Sequence, residues 1–111
     1  MYQYQAKLLN VVDGDTVDME VDLGFGVALK QRLRIKGINT AELHSPIEEE
    51  RTLAFKAKNF VESTIHLGSS YMIDTYKDDK YGRLLADIHV TKEMTLGVML
   101  ISVGLAKPFM V

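Results

Sequence analysis

Arg32-Leu33-Arg34-Ile35-Lys36-Gly37-Ile38-Asn39-Thr40-Ala41-Glu42 is the stretch on which the reading of this chain turns. From 32 to 35 basic and apolar residues alternate, and the side chains of a strand point to opposite faces with period two. The alternation predicts a strand that sends Leu33 and Ile35 into a core and lines Arg32, Arg34 and Lys36 along the other face as a row of cations. Gly37 breaks the run. Asn39, Thr40 and Glu42 then place oxygen donors and a carboxylate just past the strand end. Cations followed by such a cluster suit a phosphate group held beside a hard metal ion.

Upstream, residues 5–12 carry Leu8, Leu9, Val11 and Val12 and read as a first strand. Asp13-Gly14 follows as a two-residue hairpin signal, since glycine accepts positive φ without steric cost. Residues 16–23 alternate cleanly, with Val17, Met19, Val21 and Leu23 on one face and Asp18, Glu20 and Asp22 on the other. Gly24 and Gly26 turn the chain into a third strand over 27–38. Three meandering strands with one wet face point to a small barrel.

Downstream, Ser45-Pro46-Ile47-Glu48 has the residues of a capping box, with Pro46 at the first helical position and Glu48, Glu49 and Glu50 in the first turn. Leu53, Ala57, Phe60, Val61 and Ile65 recur at helical spacing, predicting a helix over 46–64. Strands are expected over 71–75 and 83–90, separated by the polar run Lys77-Asp78-Asp79-Lys80-Tyr81-Gly82. A short second helix over 95–103 with Gly104 as its left-handed cap, and an apolar tail over 105–111, complete the chain. The fold class is therefore α+β, mainly β. Five short strands with a helix between the third and fourth match an oligonucleotide/oligosaccharide-binding (OB) barrel carrying two helices.

At 111 residues, 1–111 is expected to be one domain with a proper core. No apolar run approaches membrane-spanning length, and no basic-then-apolar leader is visible at Met1-Tyr2-Gln3, so a cytoplasmic location without membrane partners is expected. The chain has no cysteine, which excludes disulfides and thiolate metal sites. A net charge of −2 excludes coating nucleic acid by bulk charge and requires any phosphate to be met by a local cluster.

Four motifs in register give the chain a family likeness. Asp13-Gly14-Asp15-Thr16-Val17, Arg34 with Asn39-Thr40-Ala41-Glu42, Asp79-Lys80-Tyr81-Gly82-Arg83, and Gly104-Leu105-Ala106-Lys107 resemble the staphylococcal nuclease (thermonuclease) family in order and roughly in spacing. The resemblance implies a calcium-dependent nuclease that hydrolyses phosphodiester bonds in DNA and RNA, single strands preferred. It implies Arg34 and Arg83 as the arginines on the scissile phosphate and Glu42 as general base. Asp15, Asn39 and the Thr40 carbonyl would bind Ca²⁺, and Lys80 and Tyr81 would contact a neighbouring phosphate. The chemistry agrees: guanidinium forks onto two phosphate oxygens, and calcium prefers oxygen donors.

Taken singly, these residues have plainer readings. Asp13 and Asp15 suit a turn, the arginine row a solvated strand face, and Glu42 a surface carboxylate; His44, His66 and His89 are read as loop or structural histidines. The chain also departs from the family: Asn39 replaces a calcium aspartate, Ala41 a proline, and Met110 a tyrosine that stacks on the base. These departures keep open a second reading, a non-catalytic barrel binding nucleic acid or protein. The apolar tail Pro108-Phe109-Met110-Val111 is expected to pack on the barrel or on a second subunit, which makes it a candidate surface for a homo-oligomer.

Overall fold

Alternation builds the strands, and where it meets a buried face it fixes which residues fill the core. The computed structural model describes residues 2–77 and 84–109. In chain order these form β1 (Tyr2–Asp13), β2 (Thr16–Gly24), β3 (Val27–Ile35), β4 (Ile38–Asn39), α1 (Glu48–Thr64), β5 (Ser70–Tyr76), β6 (Leu84–Ile88), α2 (Leu96–Ser102) and β7 (Lys107–Pro108). The order β1-β2-β3-β6-β5 closes a barrel, and β4 with β7 makes a separate two-stranded ribbon. All barrel pairings are antiparallel except β3 with β6. Leu8, Val17, Met19, Leu33, Ile35, Ile73 and Ile88 fill the interior, closed by Val61 and Ile65 at the end of α1 and Leu96 and Leu100 of α2. This is the predicted five-stranded OB-type barrel with two helices. No described helix is long and apolar enough to cross a membrane.

Several local expectations are corrected. The third strand stops at Ile35, because Gly37 takes a left-handed φ of 80° and swings the chain out of the barrel. Ile38 and Asn39 pair instead with Pro108 and Lys107. The first hairpin turns on Gly14 and Asp15, between the pair Asp13 and Thr16, one residue later than expected. Gly14 is not there for positive φ. A Cβ on it would lie 2.7 Å from Ala57 Cβ and 3.1 Å from Thr40 Cγ2, so it permits the close approach of α1 and the loop after β4.

The helix begins two residues later than predicted, with Ile47 as a cap that makes no side-chain bond. Ser45 turns locally: its hydroxyl accepts from Ile47 N–H (3.1 Å) and donates to Glu50 Oε2 (2.8 Å), and its carbonyl accepts from Arg51 (2.7 Å). Those bonds occupy the hydroxyl that a capping box would need. Ala54, Ala57 and Val61 are the buried stripe, while Leu53 faces out. The second helix is capped by Thr95, whose hydroxyl accepts from Val98 N–H at 3.4 Å, and Gly104 has the expected left-handed φ of 78°.

The β2–β3 hairpin outruns the barrel. Among the described residues β3 pairs with β6 through Leu33, Arg34 and Ile35, and Leu23, expected in the core, is exposed with Phe25, Val27 and Leu29. The apolar tail docks on its own chain: Ala106 is buried, β7 pairs with β4, and Phe109 N–H donates to the Gly37 carbonyl (2.9 Å). The tail's backbone is thus engaged within the molecule as far as Phe109, while the side chains of Pro108 and Phe109 stay exposed; Met110 and Val111 lie outside the described residues.

Candidate functional site

Four of the expected residues meet at one rim of the barrel. The turn between β1 and β2 carries Asp15, the end of β3 carries Arg34, and the chain leaving β4 carries Asn39 and Thr40. The strand ladder sets the first contact: Thr16 pairs with Arg34, and Ile35 N–H donates to the Asp15 carbonyl at 2.8 Å. The Asp15 carboxylate is buried. Its Oδ1 accepts from the Thr16 hydroxyl (3.1 Å), and its Oδ2 accepts from Thr40 N–H (3.3 Å). Arg34 Nη2 lies 3.5 Å from the same Oδ2.

Arg34 is 5% exposed, far more buried than a strand-face cation ought to be. Its Nη2 donates to Asn39 Oδ1 (3.1 Å) and its Nη1 to the Ile35 carbonyl (3.4 Å). A guanidinium has five N–H donors, so these bonds leave others for a ligand. The Phe109 ring centroid lies 5.3 Å from its Cζ.

Asp13 adds a second carboxylate that sequence reading left as a turn residue. Its Oδ1 accepts from Asp15 N–H at 3.1 Å. Burial, with a hydrogen bond and repulsion from the Asp15 carboxylate, pushes the Asp13 carboxyl up to about 6. Two acids are crowded here beside one arginine, a surplus of negative charge that a cation would relieve. Asp15, Asn39 and Thr40 are an oxygen-only donor set of the kind hard cations take. They fit calcium in kind, but with a single carboxylate, and the Asn39 oxygen is engaged by Arg34. Among the described residues no group of three His, Cys, Asp or Glu is placed to hold a metal ion.

The other expected residues are not part of this contact set. Glu42 is exposed in the loop beyond Thr40, where its carbonyl accepts from Ser45 N–H (3.3 Å). Lys80, Tyr81 and Arg83 lie outside the described residues. The row of cations is broken up. Arg32 points to solvent and forks onto Asp18 (2.8 and 3.2 Å), and Lys36 sits over the Tyr76 ring at 3.9 Å. His44 and His66 are exposed, and His89 is structural: its Nε2 lies 2.8 Å from Asp74 Oδ2 on the far wall of the barrel. Burial works against the Asp74 carboxylate, but hydrogen bonds from His89 and Gln3 hold it below the usual range. A cleft of about 430 Å³ opens on the α1 side of residues 39–41. Glu49 and Glu50 line it together with Lys107.

Residues 32–111 match the family model of the staphylococcal nuclease homologue. The chain belongs to the staphylococcal nuclease family. The family includes nucleases: a thermonuclease of Staphylococcus hyicus is 31% identical over 91 residues, covering 79% of this chain and 50% of that protein. An uncharacterized protein of Methanocaldococcus jannaschii is 32% identical over 112 residues, covering 84% of this chain and 52% of the relative. The chain spans about half the length of these curated relatives. The family match contains Arg34 and residues 39–42 but begins after Asp13 and Asp15, which the barrel itself brings alongside.

Proposed function

We propose that the protein is a nuclease that hydrolyses phosphodiester bonds in DNA and RNA, single strands preferred, with calcium. The observation that carries this reading is Arg34: a nearly buried guanidinium held beside the Asp15 carboxylate, in a chain whose family includes nucleases. Calcium, held by Asp15, Asn39 and Thr40, would supply positive charge that polarises the phosphoryl oxygens. Arg34 binds a non-bridging oxygen through its uncommitted N–H groups and stabilises the charge that grows as water adds to phosphorus. Arg83 is assigned the matching fork on sequence grounds, and the strand that follows it pairs with β3 beside Arg34. Glu42, exposed in the loop beyond Thr40, is assigned on sequence grounds as the acceptor of a proton from the attacking water. Lys80 and Tyr81 are assigned to the next phosphate along the strand.

Incubating the protein with denatured DNA or RNA, with calcium or with a chelator, tests the reading. Cleavage is expected with calcium only, and Glu42→Gln should lower turnover by about 10²- to 10⁴-fold with the fold intact. If calcium promotes no cleavage, and Glu42→Gln changes nothing, the enzyme reading fails. A binding module is the second reading, and Asn39 favours it, because its side-chain oxygen is committed to Arg34 and brings no charge to a metal. Strand affinity that persists in chelator, without cutting, would select it.

A further inference from the structure

We propose that Phe109 is a positioning residue for Arg34, holding the guanidinium plane so that the N–H donors not used by Asn39 and Ile35 meet a phosphate; this rests on the reading of Arg34 as the phosphate ligand. The hydrogen bonds of Arg34 all lie along the guanidinium edges, from Nη2 to Asn39 Oδ1 and from Nη1 to the Ile35 carbonyl. Edge contacts do not cover a face. Phe109 does, with its ring centroid 5.3 Å from Cζ. An aromatic face attracts a cation through its quadrupole and uses none of the N–H donors that a phosphate needs. A third carboxylate would hold the cation as firmly but would take those donors and repel the substrate.

The ring is held there by backbone, not by burial. Phe109 follows β7, whose pairing with β4 joins Lys107 to Asn39 and Pro108 to Ile38. Its own N–H donates to the Gly37 carbonyl at 2.9 Å. It remains 40% exposed, whereas a tail phenylalanine that served only the core would be covered. The same ribbon therefore anchors Asn39 at one edge of the guanidinium and Phe109 over its face. The C-terminal segment acts as part of the site.

Phe109→Ala, Phe109→Leu and Phe109→Tyr separate this from apolar packing. The readouts are the Arg34 Nε–Hε resonance, identified by its loss in Arg34→Lys, and the affinity for inorganic phosphate. Leucine keeps the apolar bulk and the fold but has no ring. Phe109→Leu and Phe109→Ala are expected to lose the ring-current displacement of that resonance and to weaken phosphate binding by about 3- to 30-fold. Phe109→Tyr should keep both. Phosphate affinity in Phe109→Leu equal to that of the parent, or an Arg34 resonance unmoved in Phe109→Ala, would overturn the proposal. A parent protein that binds no phosphate overturns the reading of Arg34 itself, and this inference with it.

Discussion

The two ends of the β2–β3 hairpin start from the same alternating strands and finish in different environments. At the rim, Thr16 pairs with Arg34, and the arginine is buried among Asp15, Asn39 and Phe109. At the tip, Gly24 pairs with Val27, and Leu23, Phe25 and Val27 stand in solvent. Arg32, two residues from Arg34 on the same strand face, belongs with the tip: it is exposed and spends its charge on Asp18. What separates the two arginines is the chain packed over them. β4, β7 and the loop after β4 cover the rim, and none of them reaches the tip. A cation becomes a site when other elements remove it from water and leave some donors unspent.

The largest effect expected to sharpen this contrast is on activity. Arg34→Lys should cut nuclease turnover by about 10²- to 10³-fold, since an ammonium cannot fork and one charge-stabilising donor pair is lost. Arg32→Lys should leave turnover within about threefold, because an exposed ion pair contributes little. Similar losses in both variants would erase the distinction.

Glycine substitutions come next, read by urea unfolding. Gly14→Ala drives a methyl against Ala57 and Thr40 and should cost about 1–3 kcal/mol, with Ala57→Gly recovering part of it. Gly24→Ala meets open space and only the strain of a φ of 83°, about 1 kcal/mol. If Gly24→Ala proved the costlier, the rim would not be the tightly packed end.

Asp13 supplies a smaller, pH-dependent test. Its folded carboxyl titrates near 6 against an ordinary value of 3.8, so the native state holds its proton more tightly than the unfolded chain. Its contribution to stability is full below about pH 4 and is lost as pH rises through 6. Asp13→Asn should therefore stabilise the protein at pH 7, by about 1 kcal/mol once solvent screening is allowed for, and show no gain at pH 4. A gain that did not vary with pH would mean that charge crowding is not its source. The smallest effect belongs to the tip, where Phe25→Gly should change stability by less than about 1 kcal/mol and in the favourable direction, by relieving a side chain at φ 56°.

Local periodicity reached most of the fold. The alternation in β2, the helical spacing in α1 and the left-handed Gly104 are set by neighbours within a few residues, and all three are present. It erred where distant contacts intervene. Leu23 has the spacing of a core residue, but the barrel ends before it. Ser45 has the residues of a cap, but its hydroxyl is taken by Ile47 and Glu50. Of the site, motif likeness singled out Arg34, Asp15, Asn39 and Thr40. It passed over Asp13, which looked like a turn, and Phe109, which reads only as part of an apolar tail for the barrel or a second subunit.

What this sequence settled alone was the inventory: alternating strands enough for a barrel, two helical segments, and basic and oxygen-donor residues at the end of the third strand. Which cation is buried, which glycine is there for space, and which aromatic covers the arginine came only with the tertiary structure. Those properties depend on residues from separate strands and loops meeting in space. A strand's pleat dictates which face a side chain takes, but only the rest of the fold decides whether that face meets water, protein or a neighbouring charge.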